Sequence, residues 1–150
     1  MSDRRTRIYE EFNKLKNISK VKCELINNDI NNWKVAFDGT PCSPYEDRIF
    51  QVKVNLPETF PSTRPFLYFI TKMFHPNIRQ NDGLVSLNLM YNWVKTRTIE
   101  EVFFGLIEVM DNPRVGSGYG EEPQKLLEKD RDKFFEKVEE YTYNYAMDDI

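Results

Sequence analysis

A lone histidine and a serine eleven residues later bracket the stretch of this chain where chemistry could be done. It reads His75-Pro76-Asn77-Ile78, then Gly83-Leu84-Val85-Ser86-Leu87-Asn88-Leu89-Met90, then Trp93. A single histidine invites a general-base reading, because its unperturbed pKa lies close to neutrality. The Ser86 hydroxyl becomes a nucleophile only beside a base. A cysteine, with a pKa of about 8.5, already offers a few per cent thiolate at neutral pH. Asn77 can serve simply by bracing the turn it sits in. Cys23 and Cys42 show neither metal-ligand spacing nor a disulfide framework and read as structural or incidental. No metal and no cofactor is expected.

The elements that must position this stretch follow from periodicity. Ile8, Phe12 and Leu15 repeat at i, i+4, i+7 behind a capping Asp3, which predicts a helix over about 4–16. Period-two alternation follows in Val21, Cys23, Leu25, in Trp33, Val35, Phe37 and in Phe50, Val52, Val54. Phe66-Leu67-Tyr68-Phe69-Ile70 reads as a fourth strand, apolar throughout and so covered on both faces. Short turns such as Asn27-Asn28-Asp29 and Asp38-Gly39-Thr40-Pro41 suit an antiparallel meander. Residues 71–97 are irregular. Thr98-Ile99-Glu100-Glu101 is a capping box for a second helix with Val102, Phe103, Leu106, Ile107 and Met110 on its apolar face. Asn112-Pro113 and three glycines make 112–121 a flexible loop. Pro123 suits the first turn of a third helix. Asp130 caps a last one with a stripe of Phe134, Phe135, Val138, Tyr141 and Tyr145. One helix, four antiparallel strands and three helices make an α+β domain.

At 150 residues the chain fits a single domain spanning 1–150. A net charge of −3 argues against a general binder of nucleic acid or anionic membrane. Residues 1–22 carry seven basic side chains against Asp3, Glu10 and Glu11, whereas 121–150 is acidic, an asymmetry that fits solvated helix faces. No apolar run reaches membrane-spanning length and no signal-peptide core is present, so an intracellular protein, cytoplasmic or nuclear, is expected.

The His-Pro-Asn segment, the Gly-containing turn, Ser86-Leu87-Asn88-Leu89 and Trp93 together resemble the active-site segment of ubiquitin-conjugating enzymes, which carries a cysteine where Ser86 stands. Three more motifs, in order, carry the resemblance across nearly the whole chain. Ser43-Pro44-Tyr45-Glu46 with Phe50 is similar to the family's Ser-Pro-Tyr turn, and Phe60-Pro61 with Pro65 to its Tyr-Pro-Phe-x-Pro-Pro loop. The run from Asp130-Arg131-Asp132-Lys133-Phe134 to Tyr145-Ala146-Met147 is similar to its final helix. The resemblance implies the UBC fold: an N-terminal helix, a four-stranded antiparallel meander, an irregular active-site segment, then three helices.

It also implies roles. In the family a cysteine thiolate accepts the modifier's C-terminal carboxyl from an activating enzyme as a thioester and passes it to a lysine. Asn77 matches the asparagine that stabilises the oxyanion, and His75 the histidine that builds the turn. With His75 so committed, no Ser-His-acid constellation remains and Ser86 implies little or no turnover. Ser86 lies nine residues after Asn77 rather than the usual eight, so literal spacing would put Val85 at the reactive position. Ser117 aligns with the lysine-orienting aspartate, Ser62 with the apolar ligase contact, and Val94-Lys95-Thr96 with a loop that often holds a proline. Arg4, Arg5 and Arg7 resemble the surface shown to the activating enzyme. Two readings stand. One is an enzyme of the ubiquitin or ubiquitin-like pathway whose cysteine has been substituted. The other is a naturally inactive variant that binds modifier, ligase or an active conjugating enzyme. A serine that accepts the modifier as an oxygen ester is a third.

Overall fold

The computed structural model describes residues 3–148. Helix α1 (Arg4–Lys16) leads into a sheet of β1 (Val21–Ile26), β2 (Asp29–Asp38), β3 (Ile49–Asn55) and β4 (Phe66–Phe69), all antiparallel and in sequence order. A short α2 (Asn88–Tyr91), not announced by periodicity, precedes the three expected helices α3 (Ile99–Asp111), α4 (Glu121–Lys129) and α5 (Arg131–Tyr145).

Register puts the alternating apolar residues of neighbouring strands opposite one another: Leu25 with Trp33, Val35 with Val52, Phe37 with Phe50, Val54 with Leu67. Their shared face is the core, because strand side chains alternate and only one face meets the helices. Phe12 of α1 packs on Trp33 at 5.2 Å between ring centroids, and Phe103 of α3 meets Phe37 edge-on at 5.3 Å. Burying such rings dominates core energetics, at about 3–5 kcal/mol for truncating any one of them to alanine.

Three details depart from the periodic expectations. In β4, Leu67 and Phe69 are buried, Phe66 and Tyr68 are half-buried, and Ile70 beyond the strand is exposed, so the outer face of this apolar run is not covered. On α3, Val109 is buried where Ile107 is only half so; on α5, Thr142 joins Phe134 and Val138 inside while Tyr145 stays out. Apolar residue type marks the general stripe, and the neighbour's curvature decides which edge of it faces in. The irregular stretch also contains α2, which is too short to register as a pattern.

Helix α1 is fastened by charge as well as by its apolar face. Glu11 is only 2% exposed; its Oε1 accepts the Ile99 backbone N–H at 2.8 Å, the first residue of α3, and its Oε2 pairs with Arg7 at 3.0 Å. Arg7 also donates to the carbonyls of Lys95 and Arg97. Thr98 accepts the Glu101 N–H as the other half of the α3 cap, whereas the Glu101 carboxylate turns to Arg97 instead of closing the capping box. One buried carboxylate therefore caps a different N–H of the same helix start and ties three segments together. Glu11→Ala leaves the Ile99 N–H and the Arg7 Nε–H without their acceptor and the half-buried guanidinium without its counter-charge. It is expected to cost about 3 kcal/mol in urea unfolding, against a smaller loss for Glu11→Gln, which keeps one acceptor oxygen.

Candidate active site

The site is built outward from a buried ring. His75 is fully enclosed; its Nε2 lies 2.8 Å from the Val109 carbonyl at the end of α3, and its Nδ1 accepts the Asn77 backbone N–H at 3.0 Å. These partners assign the proton to Nε2 and the lone pair to Nδ1. Burial, opposed in part by hydrogen bonds to Val109 and Met110, pushes the imidazole pKa down to about 4. A neutral ring with both nitrogens engaged has nothing to offer as a base. The general-base reading of His75 is excluded, and its turn-building role is the one the geometry displays.

The turn that His75 closes is then gripped by the loop after α3. The Pro76 carbonyl accepts Gly120 N–H at 3.0 Å and Ser117 Oγ–H at 2.7 Å. Asn77 Oδ1 accepts Arg114 N–H at 2.9 Å. At Gly120 a Cβ would collide with the His75 carbonyl, so glycine is required for this close approach. With Gly116 N–H also donating to Gln124 Oε1, residues 112–120 are fastened at four points, not the loose loop their glycines suggest.

On the other side, residues 83–85 add to the free edge of β4. Gly83 carbonyl accepts Phe69 N–H, Val85 N–H donates to Leu67 carbonyl, and Ile78 bridges Val85. Arg79 and Asp82 clasp the intervening turn through two bonds of 2.9 and 2.6 Å, and the guanidinium holds the Asp82 carboxyl below its ordinary range. Val85 is thereby packed into the core. Ser86, whose N–H donates to the Asn77 carbonyl at 2.8 Å, turns out to line a cleft of about 570 Å³ with Asn77, Asn88, Tyr91, Glu108 and Arg114. Of the two spacings, only Ser86 faces that cleft.

Chemically the cleft is under-equipped for nucleophilic work. Ser86 Oγ meets Tyr91 Oη at 3.2 Å and no base. Ser117 also lines the cleft, but its hydroxyl is spent on Pro76. Glu108 is neutralised by Arg114 at 2.7 Å. Asn77 keeps its Nδ2 group without a partner among the described residues, oriented by the bond to Oδ1. It can brace its loop and still donate into the cleft. No cluster of metal-ligating side chains is found among the described residues. Cys23 is half-buried and desolvation pushes its thiol up to about 12, so it is inert.

The remaining candidates lie on another face. Arg4 is consumed by Asn31 and the carbonyls of Pro57 and Phe60, and Arg7 by Glu11 and the 95–97 backbone, which leaves Arg5 as the outward cation of the three. Lys95 and Ser62 are exposed on two loops joined by Trp93, whose Nε1–H donates to the Pro61 carbonyl at 2.8 Å. Sequence reasoning missed Tyr91, Glu108 and Arg114. None carries a motif, and only the folding of α2 and the 112–120 loop brings them to the cleft.

A family model described as ubiquitin-conjugating enzyme matches residues 7–142. The chain is 30% identical over 131 residues to the ubiquitin-conjugating enzyme E2 6 of Arabidopsis thaliana, covering 86% of this chain and 72% of that protein. It is 27% identical over 122 residues to the ubiquitin conjugating enzyme E2 B of Dictyostelium discoideum, covering 81% and 82%. The solved E2 domain of a Toxoplasma gondii ubiquitin conjugating enzyme shares the fold with a TM-score of 0.88 at 22% identity, over 96% of this chain and 99% of that one.

The buried imidazole sets a pH dependence. In the fold it stays neutral to about pH 4, whereas an unfolded histidine takes a proton near pH 6.5, so acid favours the unfolded chain. Its contribution is fully present above pH 6.5 and is lost, by about 3 kcal/mol, as pH falls towards 4. The ring resonances of the sole histidine are expected to stay fixed from pH 8 to about 5 in NMR spectra of the folded protein. A titration centred near 6.5 would refute the buried neutral ring.

Proposed function

The chain belongs to the ubiquitin-conjugating enzyme family, and on that premise we propose that it works in a ubiquitin or ubiquitin-like modifier pathway as a UBC-fold binding module that carries no thioester. The observation behind this reading is the state of Ser86. Its hydroxyl is bonded to a phenol, and the only histidine is turned away, neutral and fully committed. Serine without a base does not attack an acyl donor at a useful rate. The surrounding loop fits the same reading, because Ser117 serves the turn and Glu108 is tied to Arg114.

The partners proposed are the modifier, the activating enzyme, a ligase or an active conjugating enzyme. Arg5 and the exposed loops bearing Ser62 and Lys95 are the surfaces offered to them. An intracellular setting, cytoplasmic or nuclear, fits two cysteines that stay unpaired.

A second reading, a conjugating enzyme whose cysteine is replaced here by serine, is favoured by Asn77. Its amide is held ready to donate into the cleft, which is what an oxyanion would need. Incubation with activating enzyme, ATP and a panel of modifiers tests both. The native chain is expected to form no covalent adduct, while Ser86→Cys forms one that dithiothreitol releases. An alkali-labile, thiol-resistant adduct on the native chain would sink the binding-module reading. Rapid discharge of charged Ser86→Cys to free lysine would favour the second reading.

A further inference from the structure

We propose that Tyr91 is a positioning residue of this site: its phenol holds the side chain at position 86 and closes the outer side of the cleft over it. The proposal rests on the reading that residue 86 stands at the family's reactive position. Ser86 is only 8% exposed although it lines a cleft, whereas Tyr91 is 62% exposed, and their hydroxyls lie 3.2 Å apart. A surface ring is thus the cover of a nearly buried group.

That cover is anchored. Tyr91 is the last residue of α2, whose preceding Leu87 and penultimate Met90 are both sunk in the core, so the backbone that aims the phenol cannot drift. The Arg64 guanidinium lies 5.9 Å from the Tyr91 ring and 4.9 Å from Phe66, backing the ring from the β4 side. Tyr119, on the 112–120 loop, neighbours Tyr91 from outside the cleft, and burial and this neighbour raise its pKa. Arg79 in turn lies over Tyr119 at 5.6 Å. Tyr91 is thus flanked by Arg64 and by Tyr119 while its own hydroxyl meets residue 86. A donor or acceptor that approaches residue 86 past this rim of the cleft must displace the Tyr91 ring.

A thiol at position 86 reports both effects without activating enzyme or modifier, so this test fails or succeeds separately from charging. In Ser86→Cys the phenol O–H donates to the thiolate and stabilises it. Alkylation by iodoacetamide, in which the thiolate sulfur bonds to carbon and iodide leaves, is followed against pH. Mass spectrometry of the peptide bearing residue 86 supplies the readout, because exposed Cys42 also reacts. Adding Tyr91→Phe removes the hydroxyl and keeps the ring, and is expected to raise the midpoint of the profile by about half a pH unit. Adding Tyr91→Ala removes the cover and is expected to raise the plateau rate about fivefold. Tyr91 is exposed enough that both variants keep the fold, which circular dichroism checks. An unmoved midpoint in the phenylalanine variant, or an unmoved plateau in the alanine variant, overturns the proposal.

Discussion

The hydrogen bonds of one neutral imidazole organise the functional end of this protein. His75 joins the last turn of α3 to the turn at Asn77. One wall of the cleft hangs from those two attachments: Pro76 receives Ser117 and Gly120, while Asn77 receives Arg114 and Ser86. The ring can do this only because it is uncharged, since a buried imidazolium would need a counter-ion that the core does not provide. The price of that architecture is that the sole histidine is withdrawn from acid–base chemistry.

The opposite face depends on charge rather than on a neutral ring. Glu11, Arg7 and Arg4 spend their polar groups on α3, on the 95–97 backbone and on the 57–60 segment. Of the three arginines at the start of α1, Arg4 and Arg7 are internal mortar and Arg5 is left outside, beside the exposed Lys14 and Lys16 farther along the helix. Long cationic side chains commonly bury their stems this way, and a carbonyl lattice can absorb guanidinium donors as well as a carboxylate can. Because Arg7 grips the backbone of Lys95 and Trp93 grips Pro61, the loops of Ser62 and Lys95 are held on the same support as α1.

Much of the fold was legible because it is written in periodicity. Alternation at 33–37 and 50–54 and the caps at Asp3, Thr98 and Asp130 fall on the elements and helix starts observed. The motif around His75 and Ser86 was legible too, as a resemblance. What stayed hidden depends on tertiary approach. The clustered glycines of 112–120 suggest freedom, yet Gly120 is there because the His75 carbonyl comes too close for a side chain. Tyr91 gives no signal in sequence, since its partner depends on a single turn of helix forming after a strand-like step. Ionic groups were the least readable: Glu11 looks like one solvated acid among several, and its burial follows from where the N-terminus of α3 lands.

The short added strand at 83–85 separates two things that would otherwise be coupled. Its pairing with β4, with Ile78 and with Asn77 fixes the location of residue 86 from both flanks. The clasped turn between Arg79 and Gly83 lies beyond those attachments and projects away from them. Segment length can therefore vary in that turn like slack in a belt whose buckle stays put. The placement of residue 86 is therefore set by the pairings on either side of that turn and not by the number of residues the turn contains.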